Sequence, residues 1–202
     1  MPRLLNRNAD HAHPPRRGVS LVEVLLVIAI LALAAGSAVS LFQPNLADEL
    51  ENAAQIVSAD VERARNLAVA NNSQYKLTFN SDRSGYYLQH SGANASLHTL
   101  PSWPHKQASD PADRQVTLLK NLPGLGDVEI LGILQVTSST RSVVTDLEFT
   151  SLGATTRSQV TEIWLAAGNG AERRYLAVEI HPTTGLASVG ELAGAAPSGL
   201  GS

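Results

Sequence analysis

The fold is decided near the start of the chain by the stretch RRGVSLVE, residues 16–23, which opens a long apolar run. Glu23 stands where that run begins, and no residue from Val24 to Phe42 is charged. A carboxylate inside a segment of membrane-spanning length costs roughly 2–4 kcal/mol near the bilayer centre and less near its edge. We therefore expect Glu23 to have a partner that offsets this cost.

Residues 19–42 are long enough to cross a membrane as one helix. At about 1.5 Å per residue this helix would measure about 36 Å, against about 30 Å for the hydrocarbon core. Four arginines precede it, namely Arg3, Arg7, Arg16 and Arg17. Basic residues before an apolar span hold that end in the cytoplasm while the rest is exported. The sequence therefore predicts a single-pass protein with a cytoplasmic N terminus and an exported head.

The segment before the helix allows three interpretations. A secretory signal peptide would be cut at the small-x-small sequence 32–34, but the apolar run continues to Phe42 and Glu23 stands near its start. An uncleaved signal anchor explains the span but leaves Gly18 and Glu23 without a role. A class III signal is cut on the cytoplasmic side after Gly18 and keeps the helix. This third interpretation uses both residues.

Residues 18–23, with the sequence GVSLVE, resemble the prepilin motif, in which a glycine and a hydrophobic residue precede Thr/Ser-Leu-Ile/Val-Glu. Val19 differs from the usual Phe or Met. The resemblance implies cleavage between Gly18 and Val19 by a prepilin peptidase, followed by N-methylation of Val19. It also implies that Arg16 and Arg17 form the basic flank of a leader that is removed.

Cleavage after Gly18 would create a positive amine at Val19, four residues before Glu23. A negative side chain in a first helical turn is favoured by the helix dipole. Within lipid, the best partner for a charge is an opposite charge on a neighbouring helix. We therefore expect Glu23 of one subunit to form an assembly salt bridge with the Val19 amine of the next. The alternative is that Glu23 merely extends to the membrane interface.

The composition excludes several classes of protein. The 202 residues contain no cysteine, which rules out disulfides, thiol catalysis and Cys-based metal sites. Four of the 15 basic residues but one of the 18 acidic ones precede Val19, so the remainder carries a net charge near −6. An acidic exported domain is a poor general binder of DNA or anionic lipid.

A second helix is predicted over residues 44–72. Pro44 either kinks the first helix or starts a new one, and the pair Asn71-Asn72 is a natural stop. Seven apolar residues recur at spacings of three and four, which indicates an amphipathic helix under a sheet. They are Leu46, Leu50, Ala53, Val57, Val61, Ala64 and Ala68.

After Asn72 the apolar period changes from 3.6 to 2, which is typical of strands. A hairpin is predicted from strands 75–79 and 86–90 around the turn 81–85. Further strands are predicted at 115–120, 128–136, 145–150, 160–166, 174–181 and 186–189. Their short connections favour one antiparallel sheet. The fold class is therefore α+β, a long helix packed on an antiparallel β-sheet head.

Two segments of the head lack these patterns. Residues 91–112 are rich in proline and form a long surface excursion, whose Trp103 either contacts a partner or is tucked over the sheet edge. Residues 191–202 contain mostly Gly, Ala, Ser and Pro and are predicted to be a flexible tail. The predicted organisation is leader 1–18, transmembrane and filament-core helix 19–43, amphipathic helix 44–72, head 73–190 and tail 191–202.

Three segments of the head resemble the GspH/FimT-type pseudopilins. They are residues 64–69 with 75–77 at the passage from helix to first strand, residues 147–153 with Phe-x-x-x-Gly, and residues 178–186 with a Thr-Gly turn. The resemblance implies a pilin-like fold and a minor pseudopilin of the bacterial inner membrane, with a periplasmic head, in the pseudopilus of a type II secretion system. Implied partners are other pseudopilins, the prepilin peptidase, the inner-membrane assembly platform and membrane lipid.

The sequence carries no recognisable catalytic or metal-binding pattern. The six histidines form no His-Glu-x-x-His run, and neither Gly-x-Ser-x-Gly nor a P-loop occurs. We therefore predict no enzyme activity, no cofactor and no metal ligands, while a calcium site in the head loops stays open. Two alternative functions remain. One is a type IV pilus or DNA-uptake minor pilin whose head binds DNA through Arg141, Arg157, Arg173 and Arg174, and the other is a membrane-anchored enzyme.

Overall fold

The structure, a computed structural model, describes residues 20–39, 45–104 and 106–200. The predicted leader 1–18, the cleavage bond after Gly18 and the predicted break at Pro44 lie outside the described residues. The chain divides into two units, residues 1–43 and residues 44–202.

The described part of the first unit is a helix, α1 (Leu21–Val39). It begins at Ser20, whose carbonyl oxygen accepts hydrogen bonds from the backbone N–H of Glu23 at 3.0 Å and of Val24 at 3.2 Å. Glu23 lies in the first turn and is the one charged residue in the sequence of α1. Within residues 20–39, 45–104 and 106–200, none of the helices combines the length and the apolar character needed to span a membrane.

The second unit begins with α2 (Leu46–Ala70), the amphipathic helix that the apolar spacing predicts. The side chain of Asn45 caps its start by accepting from the backbone N–H of Ala47 at 3.1 Å. Asn71 ends it by donating from its side chain to the carbonyl of Leu67 at 3.0 Å, and Asn72 turns the chain with a φ of +46°. The predicted stop at Asn71-Asn72 is therefore confirmed.

Within residues 45–104 and 106–200, nine strands follow α2, and all of their pairings are antiparallel, as predicted. In chain order they are β1 (Tyr75–Phe79), β2 (Gly85–His90), β3 (Arg114–Leu118), β4 (Val128–Val136), β5 (Arg141–Val144), β6 (Asp146–Phe149), β7 (Val160–Ala167), β8 (Arg174–Ile180) and β9 (Ala187–Val189). The α+β class is confirmed, and the predicted bounds of the hairpin and of β4 are close to those observed.

The strands form two sheets where the sequence predicted one. Sheet A has the order β3-β2-β1-β6, and sheet B has the order β5-β4-β7-β8-β9. The chain changes sheet at Thr145, the residue between β5 and β6, whose carbonyl accepts from the N–H of Phe79 at 3.0 Å. Strand β5 is absent from the prediction because its four residues show no apolar alternation.

One core joins α2 to the inner faces of both sheets. The buried helix residues are Leu50, Ala53, Ala54, Val57, Val61, Ala64 and Ala68. They belong to the same cluster as Leu77 and Phe149 of sheet A and Ile163 and Val178 of sheet B. Six of the seven predicted stripe residues are thus buried, and Leu46 packs against the cluster at its edge.

The outer face of sheet B carries a second, smaller core. Leu131, Ala166 and Tyr175 are buried there, and Trp164, Ala193, Ala196 and Leu200 pack against them. Residues 191–200, which we name the strap, supply the last three of these side chains. The prediction of a flexible tail over 191–202 did not anticipate these contacts, because the residues that the strap covers lie on strands distant in sequence.

Candidate functional site

The N-terminal motif places Glu23 on the surface of the first turn of α1. Of the other predicted site residues, Gly18, Val19, Arg16 and Arg17 lie outside the described residues. The order Ser20-x-x-Glu23 is also that of a capping box, in which a glutamate at the third position stabilises the helix start. Glu23 therefore has two candidate tasks: a cap that a glutamine could also provide, and a salt bridge with a neighbouring subunit that needs the charge.

The apolar side chains of α1 are largely uncovered within the described residues. The large ones from Leu21 to Leu33 are between 43% and 76% exposed. A contiguous apolar surface of this length marks a binding site for lipid or for other apolar helices. Residues 21–33 thus present apolar side chains for binding, and Glu23 is the one charged residue among them.

The three head segments that resemble pseudopilins converge at the C-terminal end of α2. The Nε atom of Arg65 donates to the carbonyl of Thr184 at 2.7 Å. Gly153 lies against Val69 and Arg65, where an added Cβ would be 3.1 Å and 3.2 Å from their side chains. Gly185 lies against Gly153, since its Cβ would be 2.1 Å from the Gly153 carbonyl oxygen. Segments up to 119 residues apart in the sequence therefore form one junction.

The proline-rich excursion 91–112 is anchored to α2 through Arg63. The Nε atom of Arg63 donates to Gln115 of β3 at 2.9 Å, and Nη2 donates to the carbonyl of Ser102 at 3.1 Å. Gln115 in turn donates to the carbonyl of Pro101 at 2.8 Å. Trp103 is only 7% exposed, so it belongs to the folded head and is not presented to a partner.

A carboxylate on α2 holds the helix to two strands of sheet A. The hydroxyl of Tyr86 donates to Asp60 Oδ2 at 2.7 Å, and that of Thr117 donates to the same oxygen at 2.9 Å. Burial raises the pKa of Tyr86 well above its ordinary value, and the Asp60 carboxylate adds to the shift, so Tyr86 remains a donor. The sequence pattern places Asp60 on a polar helix face. Its hydrogen-bond partners become apparent only when the strand register is known, because that register places Tyr86 opposite Thr117.

His90 links sheet A to the excursion. Its Nε2 lies 2.7 Å from Ser73 Oγ, its ring meets Tyr75 edge-on at 5.0 Å, and it lies 5.2 Å from the ring of His98. Burial lowers the pKa of His90, and His98 lowers it further. Nδ1 of His90 is buried without a hydrogen-bond partner among the described residues, so this serine–histidine pair lacks the carboxylate of a catalytic triad.

The arginines proposed for DNA binding do not form a free basic patch in the described head. Arg157 is paired with Asp146, Arg173 with Glu129, and Arg141 with Glu162 at 3.5 Å. Arg141 aligns with Val136 at one end of β4, whereas Glu129 lies near the other end. Seven residues of strand separate these positions by about 23 Å. Three of the four arginines are therefore paired with carboxylates. Arg141 and the Arg173–Glu129 pair also lie near opposite ends of β4.

No group of three or more His, Asp or Glu side chains is arranged to hold a metal ion within residues 20–39, 45–104 and 106–200. The absence of an enzyme activity and of a cofactor stays a prediction from the sequence.

The N-terminal segment matches the model of a known sequence motif. Residues 14–39 match the model of the prokaryotic N-terminal methylation motif. The chain carries that motif. The match supports prepilin-type processing and methylation as a class, while the individual roles of Gly18, Val19 and Glu23 stay predictions.

Two further comparisons concern longer parts of the chain. The pilin-like protein PilA1 of Thermus thermophilus is 36% identical over 86 residues, which is 43% of this chain and 54% of PilA1. The chain thus spans about half the length of the curated relative it matches. Two crystal structures of the type IV minor pilin FimU of Pseudomonas aeruginosa give TM-scores of 0.44 and 0.41 at 16% and 14% identity. The aligned regions cover 71% and 70% of this chain and 90% and 93% of the respective FimU chains.

The Gly153–Gly185 junction predicts a strong effect of a single methyl group. Gly185 has a φ of +64°. In Gly185→Ala we expect the free energy of unfolding to fall by about 2–5 kcal/mol, because a left-handed alanine costs about 1–2 kcal/mol and the displaced carbonyl adds overpacking strain. Denaturant unfolding of the detergent-solubilised protein, followed by circular dichroism, measures it. Gly126→Ala is the matched control, since no atom lies within 4 Å of its added Cβ. Equal stability of the two variants would contradict the junction.

The buried His90 predicts a loss of stability in mild acid. Its pKa is lower in the folded state than the unfolded value of about 6.5, so the unfolded chain binds more protons between these two values. The stabilisation is complete above about pH 6.5 and is lost as the pH falls below it. Melting temperatures between pH 7.5 and pH 5 should therefore decrease, and less so in His90→Gln. Identical decreases in both proteins would show that another group is responsible.

Proposed function

We propose that the chain is a subunit of a pilus-like filament that assembles through α1. The observation that carries this proposal is the position of Glu23, the one charge of an exposed apolar helix, within the matched methylation motif. Its role is binding without catalysis: α1 packs with other subunits, and the head makes further contacts. The proposed place is the bacterial inner membrane, with a cytoplasmic N terminus and a periplasmic head.

Assembly depends on a charge pair between subunits. Cleavage after Gly18 exposes an amine at Val19, and Glu23 of the adjoining subunit accepts it. In an apolar filament core each of these charges alone would be costly, and opposite charges in contact offset the cost. The pair therefore also selects the axial register at which the two helices fit. Prepilin peptidase creates the amine, and an inner-membrane assembly platform is the expected site of addition.

We further propose that the filament is the pseudopilus of a type II secretion system and that the chain is its minor, GspH/FimT-type pseudopilin. Support comes from the convergence of the three pseudopilin-like segments at the junction of Arg65, Gly153 and Gly185. Such a subunit takes part in protein export across the outer membrane, together with other pseudopilins.

The second candidate is a minor pilin of a type IV pilus. The similarity to a protein described as pilin-like favours it. A head that binds DNA is a weaker form of this candidate, because the ion pairs of Arg141, Arg157 and Arg173 neutralise the basic surface that DNA would need. In a strain without this gene, loss of secreted proteins with pili retained supports the pseudopilus. Loss of pili with secretion retained supports the type IV pilus.

The charge-pair proposal predicts that Glu23→Gln blocks assembly and leaves processing intact. Glutamine can still serve a capping box but cannot pair with an amine. Loss of a coupling of about 1.5 kcal/mol or more should reduce subunits recovered in sheared filaments by about tenfold or more. N-terminal sequencing of the membrane-extracted protein should still find Val19 first.

Two variants separate the possible outcomes of this experiment. Ser20→Ala removes the cap and keeps the charge, so it should assemble better than Glu23→Gln; the reverse order would assign Glu23 to capping alone. A change at Gly18 should leave the leader uncut. A mature start near Ala35 in the unaltered protein would identify a secretory signal peptide and overturn the proposal.

A further inference from the structure

The strap is seated on sheet B by close steric fit. Gly132 of β4 has no side chain at the point where Leu200 rests, and an added Cβ would be 2.5 Å from Leu200 Cδ2. At the other end, Ala193 and Tyr175 exchange two backbone hydrogen bonds of 2.8 Å and 2.9 Å. Pro197 between them is buried. The sheet face is therefore shaped to receive a short, bent peptide that pairs with Tyr175 at one residue.

The part of the outer face that the strap covers is mainly apolar. The strand register also puts three acidic side chains on this face. Glu162 is 7% exposed and accepts from Arg141 at 3.5 Å and from the Trp164 Nε1–H at 2.7 Å, Glu129 is paired with Arg173, and Glu179 is exposed. The strap itself has no charged residue from Leu192 to Leu200. Because an unpaired charge would be buried at a cost, this face selects an uncharged segment.

The strap is held weakly compared with the strands beneath it. In the part of the chain that the structure describes, its backbone bonds to the sheet are the two at Ala193. Gly190 and Gly194 flank that attachment and give the backbone freedom to move away. Segments with few buried contacts open at low free energy while the core stays folded.

We propose that the outer face of sheet B is a peptide-docking surface, occupied in its own chain by the strap and, on release, by the strap of a second copy of this chain. The occupant adds backbone pairing at Tyr175 and places a branched apolar side chain on Gly132, a form of strand addition. Within one chain the strap has the advantage of high effective concentration, so a partner must make additional contacts to displace it. This inference does not rest on the proposed filament role.

Removal of the strap provides a direct test. A fluorescent peptide with the sequence of residues 192–200 should bind saturably, one per chain, to the protein cut short after Gly190. It should bind at least about tenfold more weakly to the intact chain, in which the strap competes. In the shortened chain, Gly132→Val should abolish binding by filling the seat of Leu200. Gly126→Val, which meets open space, should leave it unchanged. Equal binding to intact and shortened chains, or none to either, overturns the proposal.

A second measurement does not require the shortened chain to fold. Because the protein has no cysteine, Leu200→Cys introduces a single thiol. Its reaction with a maleimide should accelerate at least about fivefold when Gly132→Val is added and should not change with Gly126→Val. Equal labelling rates in all three proteins would show that Leu200 is not seated on Gly132.

Discussion

The head depends on the burial of one narrow stripe of α2 between two sheets. Three of its residues, and Ala54 beside them, are alanines with no exposed surface, which lets the helix backbone lie close to the strands. The larger members, Leu50, Val57 and Val61, fill the space that remains. A fully buried Leu or Val contributes about 1.5–3 kcal/mol. Sheets A and B both pack against this stripe, so the same helix positions both of them. Hydrogen bonds such as that of Tyr86 to Asp60 orient the helix in addition to the apolar contact.

Local periodicity was sufficient to predict α2 and most strands. The spacing of three and four residues from Leu46 to Ala68 predicts which helix face is buried, and the alternation in β1 predicts the hairpin with β2. Partner choice cannot be predicted in this way. An alternating pattern identifies a strand without specifying its neighbours, so two sheets were predicted as one, and β5, with four largely exposed residues, carries no pattern at all.

The same limit explains the outcome for the candidate site. Residues 18–23 identify the N-terminal motif because its chemistry is contiguous in sequence. The junction of Arg65, Gly153 and Gly185 joins parts of the chain that meet only after folding. The strap was predicted to be flexible from composition, since Gly and Ala bury little surface. The strap packs against Gly132 and Tyr175. The sequence of residues 191–200 alone does not reveal these contacts.

The pairing of β1 with β6 also delays the completion of sheet A during synthesis of the chain. Strand β1 pairs with β6, and Tyr75 lies opposite Phe149. Because β6 follows β4 and β5 in the sequence, it is synthesised after both of them. Loop closure over such distances is slow, and an edge strand left open is prone to wrong pairing. A nascent chain can pair β1, β2 and β3 early, but the second side of β1 has no partner until β6, about three quarters of the way along the 202 residues, has emerged. A chaperone that binds this protein during its synthesis would therefore need to cover the side of β1 that later pairs with β6.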